Sequence, residues 1–379
     1  MEEFRYSVAN IQIPYNTRFG KNVNFNPSIV HIVDDYFLVS FHTFRRNKGH
    51  PEEHMVEGTI EDPYHMYYGG YQSNMWWNTL RGEWGTGFIM VKINNGQIEY
   101  AQNLTFNDYG TDMRLLKTPT GTIIGSMSGG NKIKNKGTER EHYLLPKATT
   151  RHLSISAIEI QIVRNKSGRW FLHGAEKPGK LLCEALQDEE KNWSLYFYED
   201  QLYISNYLIP RHIVFVPDNN HCKVIASRDA GVFYELQLRY KNQLLFSLST
   251  PALPYNDAMI GVGHIKLELK KIPQDTRGYH FIKENKFAIH PTYVYYMMFL
   301  YTFDPMTLNI IKLSPAFYPP HAKHAVVFPA GLTYYQGDYL ISYGEGDSEM
   351  KIMFIDNYDI DRLLVPASYY DEEYDFIYL

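Results

Sequence analysis

The chain has 379 residues, 44% of them hydrophobic and 21% charged, with a formal charge of −5. That balance suits a soluble protein with an ample core and gives no long-range attraction for nucleic acid or an anionic membrane. Cys183 and Cys222 lack CxxC spacing and so write neither a disulfide framework nor a zinc cluster, and the longest apolar run, Tyr293 to Phe303, is shorter than the ~20 residues that span a bilayer.

The opening residues, Met1-Glu2-Glu3-Phe4-Arg5, show no basic segment followed by an apolar core, so a cytoplasmic, reducing setting is expected. Long amphipathic helices are hard to find. Short apolar or alternating runs closed by Gly, Pro, Asn or Asp recur instead, as in an all-β chain. One unit repeats five times: a small or polar opening, an apolar run, a turn, then a second apolar run that often ends in Ser or Tyr. The first copy runs from Asn26-Pro27-Ser28 through Asp34-Asp35 to Val39-Ser40, and the second from Thr111-Asp112 through Thr120-Gly121 to Gly125-Ser126. The third begins at Lys191-Asn192-Trp193, turns at Glu199-Asp200 and continues Leu202-Tyr203-Ile204-Ser205. The fourth starts at Gly261-Val262-Gly263-His264 and resumes, after a polar insertion from Gln274 to Lys286, at Tyr293-Val294-Tyr295-Tyr296. The fifth is Phe328-Pro329-Ala330-Gly331, a turn at Gln336-Gly337-Asp338, then Ile341-Ser342-Tyr343-Gly344.

With Pro27, Asp112, Asn192, Val262 and Ala330 as anchors, the separations are 85, 80, 70 and 68 residues. Units of that length suit four-stranded blades with long loops. The expected architecture is therefore a single five-bladed β-propeller over residues 1–379, ahead of a two-domain β-sandwich, with blades starting near 26, 111, 190, 261 and 328. Hairpins around Asn94-Asn95-Gly96 and Lys166-Ser167-Gly168 supply outer strands, and Ile360-Asp361-Arg362-Leu363-Leu364 is expected to close the repeat. Residues 50–84 are irregular and rich in aromatics, among them Trp76 and Trp77, and read either as a lid that stacks a sugar ring or as packing on their own blade. His50 and His54 lack a third ligand, so no metal site is expected there.

Function should follow from the repeat, because the innermost strand of each blade begins near the axis. The openings brought together are Asn26, Asp112, Lys191-Asn192, Gly263-His264 and Gly331, a polar set of the kind a small polar ligand needs. Asp112 and Arg114 stand two apart on a strand and share a face, so the pair could hold an ionised carboxylate for proton transfer or could be a structural pair at a strand start.

Taken in order, these openings resemble those of the β-mannoside phosphorylase family of five-bladed propellers and the related mannosyltransferase/phosphorylases. The family's Glu-Asp-Pro-Arg stretch with its catalytic Asp is similar to Thr111-Asp112-Met113-Arg114, and its Lys-Asp pair to Lys191-Asn192. Its glycine-rich fourth opening is matched by Gly261-Val262-Gly263-His264. Its Val-x-Phe-Pro-x-Gly strand and following Tyr-Tyr-Gly-x-x-Asp are matched by Val326-Val327-Phe328-Pro329-Ala330-Gly331 and Ser342-Tyr343-Gly344-Glu345-Gly346-Asp347. Met113 replaces the Pro and Asn192 the acidic residue, and a His-Arg pair expected at the end of the third blade's second strand is replaced by Tyr207, with Arg211 and His212 slightly later.

What the resemblance implies is an inverting enzyme, a glycosyltransferase or glycoside phosphorylase acting on a β-mannoside-type bond of an oligosaccharide. Asp112 would be its catalytic acid; Asn26, Arg114, Asn192, Gly263, Tyr343, Asp347, Trp76 and Trp77 would bind sugar, with Tyr343 and Asp347 on the rim; Lys191, Arg151, Arg211 and His264 would hold phosphate. It implies no cofactor and no metal, only inorganic phosphate, a sugar 1-phosphate or a nucleotide sugar as co-substrate. An inverting glycosidase is the alternative, with Glu345 or Asp347 as the second carboxylate. A glycan-binding propeller without chemistry is the other.

Overall fold

A computed structural model of the chain describes residues 6–20, 22–46, 82–104, 111–128, 155–181, 192–209, 211–218, 221–228, 231–240, 244–268, 294–324, 326–346, 348–371 and 376. The first strand, β1 (Tyr6–Asn10), is followed by five antiparallel sheets. Blade one is β2 (Val23–Val33), β3 (Tyr36–Arg46), β4 (Gly82–Asn94) and β5 (Gln97–Leu104). Blade two is β6 (Thr111–Lys117), β7 (Ile123–Ser128), β8 (Ile155–Arg164) and β9 (Trp170–Leu181). Blade three is β10 (Ser194–Tyr198), β11 (Gln201–Tyr207), β12 (Ile213–Asp218) and β13 (His221–Ala226). The helix α1 (Val232–Arg239) leads into blade four, made of β14 (Leu244–Leu248), β15 (Leu253–Tyr255), β16 (Ala258–Glu268), β17 (Val294–Phe303) and β18 (Ile310–Leu313). Blade five is β19 (Val327–Tyr335), β20 (Asp338–Glu345) and β21 (Glu349–Asp356) with β1 as its outermost strand. After it come helix α2 (Asn357–Leu363) and the short β22 (Val365–Pro366), which returns to pair with β18.

The turns follow local chemistry. Asn95-Gly96, Glu199-Asp200 and Gln336-Gly337 all take positive φ at both positions, the geometry of tight two-residue hairpins that match strand twist.

Neighbouring blades bury their faces against each other, and among the described residues five hydrophobic clusters lie one at each blade interface. Successive residues of a strand point to opposite faces, so Ile29 enters the core between blades five and one while Val30 enters that between one and two. Leu115 and Leu116 divide in the same way, as do Leu195 and Tyr196. A strand buried on both faces has no polar side, which is why these segments read as unbroken apolar runs.

Two expectations need correction. The ring closes through β1, paired with β21 from Tyr6↔Ile355 to Asn10↔Lys351, and not through 360–364. That segment belongs to α2, where the Asp356 carboxylate accepts from the Asp359 amide at 2.7 Å and caps the helix. The fourth blade does not open at Gly261, which lies on β16, the second strand from the axis. Its inner edge is β14 and β15, both paired to β16, with Ser249-Thr250-Pro251-Ala252 between them. Pro251 has no N–H to give a ladder, so the edge breaks there.

Candidate functional site

The inner strands share an irregularity near their start. On β2 the ladder skips from Phe25↔His42 to Ser28↔Ser40, on β6 from Thr111↔Ser128 to Arg114↔Ser126, and on β19 from Pro329↔Tyr343 to Gly331↔Ser342. Blade four has its gap at 249–252, and blade three begins beside Asn192, which is half-buried with φ 68°. Bulges bend a strand and re-aim its side chains, and here they recur at one level around the axis.

Opposite the residue after each break stands a buried serine in four blades: Ser40, Ser126, Ser205 and Ser342. Hydroxyls at this level join adjacent blades. Ser28 Oγ accepts from the Leu115 amide at 2.9 Å, Ser40 Oγ donates to the Met113 carbonyl at 3.3 Å, and Ser342 Oγ donates to the Pro27 carbonyl at 2.5 Å. At the inner-strand position facing these serines, blades one, three and five carry Ser28, Ser194 and Gly331. Blade two carries Arg114.

Arg114 is only 2% exposed. Its Nε donates to the Ser249 carbonyl at 2.5 Å in the gap of blade four, and its guanidinium lies 5.3 Å from the centre of the Phe328 ring on blade five. One side chain therefore links three blades across the shaft. His264 completes the cluster, with its ring 4.8 Å from Phe328, stacked on Tyr296 at 5.5 Å, and Nδ1 2.6 Å from Ser249 Oγ. Burial first, then the charges of Arg114 and Lys266, push its pKa down to about 3.

On the blade one side, Asn26 is buried at φ 50°, with Gly344 beneath it. A Cβ on Gly344 would lie 2.5 Å from Asn26 Oδ1, so a glycine is required for this approach.

The expected site residues divide as follows. Asn26, Arg114, Asn192 and His264 lie at the shaft opening, and Asp112 lies there by its backbone, in the bulge of β6. Arg211 is exposed at the start of β12, on the same end of the molecule. Lys191, Arg151, Asp347, Trp76, Trp77 and the side chain of Asp112 lie outside the described residues.

Four assignments change. His264 is neutral near pH 7 and so is not a cationic phosphate ligand. Gly263 lies on the second strand, where a Cβ would strike the Phe299 ring at 2.3 Å; it is a packing residue. Tyr343 is 1% exposed within the core between blades four and five, with burial holding its hydroxyl protonated, so it is no rim residue. Glu345 is fully buried and accepts from the Lys323 and His324 amides and from Lys351 Nζ at 2.7 Å, which leaves it unsuited to activating a water. Ser249 and Phe328 are the partners that sequence reasoning overlooked. The signal was present, since Thr250-Pro251-Ala252 repeats the X-Pro-small pattern of Asn26-Pro27-Ser28 and Phe328-Pro329-Ala330.

A second buried histidine shares this electrostatic state. His212 lies 2.9 Å from Ser205 Oγ through Nε2 and donates from Nδ1 to the Leu308 carbonyl at 3.1 Å, because a carbonyl can only accept. Burial pushes its pKa down to about 4 although the bond to Leu308 acts the other way. In the unfolded chain a histidine takes up its proton near pH 6.5, before the native one does. The stabilisation is therefore complete above about pH 6.5 and is lost as pH falls towards 4 for His212 and 3 for His264. Over that window His212 alone should cost about 3 kcal/mol of unfolding free energy. Urea midpoints measured against pH should decline less steeply in His212→Gln than in the parent; equal slopes would remove His212 from the account.

No family model and no curated protein sequence matches the chain. Solved structures do. A Bacteroides ovatus protein, provisionally named a glycoside hydrolase, is 12% identical with a TM-score of 0.50 over 89% of this chain and 88% of its own. A Leishmania mexicana mannose phosphorylase solved with phosphate is 10% identical, TM-score 0.46, over 96% and 92%. A GDP-Man-dependent mannosyltransferase from the same organism is 10% identical, TM-score 0.43, over 92% and 90%. Identities this low speak to architecture alone. By its own five sheets, and by the likeness to the Bacteroides protein, the chain is a five-bladed β-propeller.

Proposed function

We propose that the chain is a carbohydrate-active enzyme that makes or phosphorolyses a β-mannoside-type bond with inversion, at the shaft opening where its inner strands begin. The observation that carries this reading is Arg114, a buried cation in a position where three other blades have a serine or glycine, two residues from a carboxylate in the bulge of β6. Structural packing alone would be served by a small residue there.

In the direction of cleavage, Asp112 gives its proton to the departing glycosidic oxygen, directly or through a sugar hydroxyl. A phosphate oxygen attacks the anomeric carbon from the opposite face, the carbon–oxygen bond breaks, and a sugar 1-phosphate of inverted configuration leaves. Asn26, Arg114 and Asn192 hold the sugar, while Lys191, Arg151 and Arg211 supply the charge-assisted donors that phosphate needs. Run backwards, the same site builds a glycoside from an activated donor. The hydrolytic version is less favoured, because Glu345, one of its two candidate second carboxylates, is occupied by Lys351 and two amides.

Incubation with mannose 1-phosphate or GDP-mannose and mannose-containing oligosaccharide acceptors should release phosphate or GDP. Silence with every donor, alongside intact sugar binding, would leave a glycan-binding propeller in its place.

A further inference from the structure

At the other end of the shaft, where the inner strands finish, a cavity of about 600 Å³ is lined from four blades and from α2. His31 comes from the end of β2, Lys117 from β6, Asn256 from the turn after β15 and Tyr334 from β19, while Asn357 and Asp361 come from α2. None of these residues serves the opening described above.

The walls are built. Tyr339 lies between two other tyrosines, its ring centre 5.0 Å from that of Tyr334 and 6.0 Å from that of Tyr255. Tyr255 donates its hydroxyl to Asp361 Oδ1 at 2.6 Å, which fixes that carboxylate, and Asn357 Nδ2 reaches the Tyr334 hydroxyl at 3.4 Å. Lys117 Nζ donates to the Ile32 carbonyl at 2.9 Å. Tyr334 itself stays 47% exposed, so part of its ring remains uncovered.

The chemistry of the lining narrows the ligand. Lys117 and Asp361 are of opposite sign, so the cavity has no net preference for an anion or a cation. Among the described residues no cluster suited to a metal ion occurs. What remains is a set of amides, one carboxylate and hydroxyls beside flat aromatic rings, within the size range of small-molecule pockets. Aromatic faces pack on the C–H face of a pyranose while amides and carboxylates meet its hydroxyls.

We propose that this far mouth is a second binding site, for an uncharged pyranose or similar polyol, separate from the shaft opening and independent of the reaction performed there. Crystals of the full chain soaked separately in D-mannose, D-glucose and myo-inositol should show at least one of them beside Tyr334 and Asp361. Calorimetric titration with the one that binds should give an affinity that falls about tenfold in both Tyr334→Ala and Asn357→Ala. Both changes are at the surface end of the cavity, and thermal unfolding checks that each variant folds. Asp112→Asn should leave the far-mouth density in place. The proposal is overturned if all three compounds leave the far mouth empty, if neither variant changes the affinity by more than about twofold, or if mannose 6-phosphate binds there better than mannose.

Discussion

Asp112→Asn should slow turnover of a mannoside by about 10²–10⁴-fold while sugar affinity stays within a few-fold of the parent. The amide has the size and shape of the carboxyl, so the bulge between Thr111↔Ser128 and Arg114↔Ser126 keeps its register. What is lost is the proton that a departing glycosidic oxygen needs, and an amide can neither give nor take it at neutral pH. Arg114→Lys separates positioning from chemistry in the same assay. Lysine keeps the charge but loses the fixed Nε donor to the Ser249 carbonyl and the flat face over Phe328. Initial rates and a binding titration on both variants decide the matter. An Asp112→Asn protein with full activity would move the acid elsewhere; one whose activity and sugar binding vanish together would make Asp112 a binding residue.

The blade repeat was legible because of how a propeller buries its strands. A segment such as Ile29-Val30-His31-Ile32 packs against two neighbouring blades at once, so both strand faces are apolar and the run stands out against its turns. Blade four was misread for a physical reason too. Leu253-Pro254-Tyr255 is an inner strand of three residues set off by Pro251, too short and too interrupted for any periodic signal, whereas Met259 to Ile265 on its partner is long and apolar. Closure by β1 depends on pairing with residues some 345 positions away, as in Asn10↔Lys351 and Tyr6↔Ile355, and no local pattern encodes that. The helix at 357–363 did carry a local signal, Asp356 three residues before Asp359, in a segment that was expected only to close the repeat. At the site, Asp112 and Arg114 could be picked out as chemistry-bearing residues at a strand start, and His264 as one at an expected blade opening, although it lies within β16. That Arg114 and His264 share Ser249 and Phe328, and that burial first and the Arg114 charge second hold His264 neutral, follows from contacts between blades two, four and five.

Lys351→Met should be among the most destabilising single changes in the protein, at about 3–5 kcal/mol, measured by urea unfolding near neutral pH. Lys351 Nζ lies 2.7 Å from Glu345 Oε2 and 2.7 Å from Glu349 Oε2. Glu349 is 41% exposed at its side chain and can turn to water, whereas Glu345 is at 0%. Methionine fills much of the lysine's volume, so the cost comes from the charge left behind on Glu345 with only the Lys323 and His324 amides to hold it. Those same bonds tie the loop before β19 to the end of β20, so the loss loosens the edge of the shaft opening as well. Adding Glu345→Gln should restore most of the stability, because a glutamine carbonyl still accepts from the amides and carries no charge; the gap between the double change and the sum of the singles measures the coupling. Lys92→Met provides the contrast. Its pair with Asp35 is at 3.8 Å and partly exposed, so its loss should cost far less than that of Lys351. Burial works against the Lys351 charge, yet its bonds to Glu345 and Glu349 raise its pKa above the usual 10.5. That contribution is complete below 10.5 and is lost only as pH rises through the higher native value, so the penalty of Lys351→Met should be constant from pH 7 to 9. If Lys351→Met proves as mild as Lys92→Met, the buried Glu345–Lys351 pair is not what holds this edge of the shaft opening together.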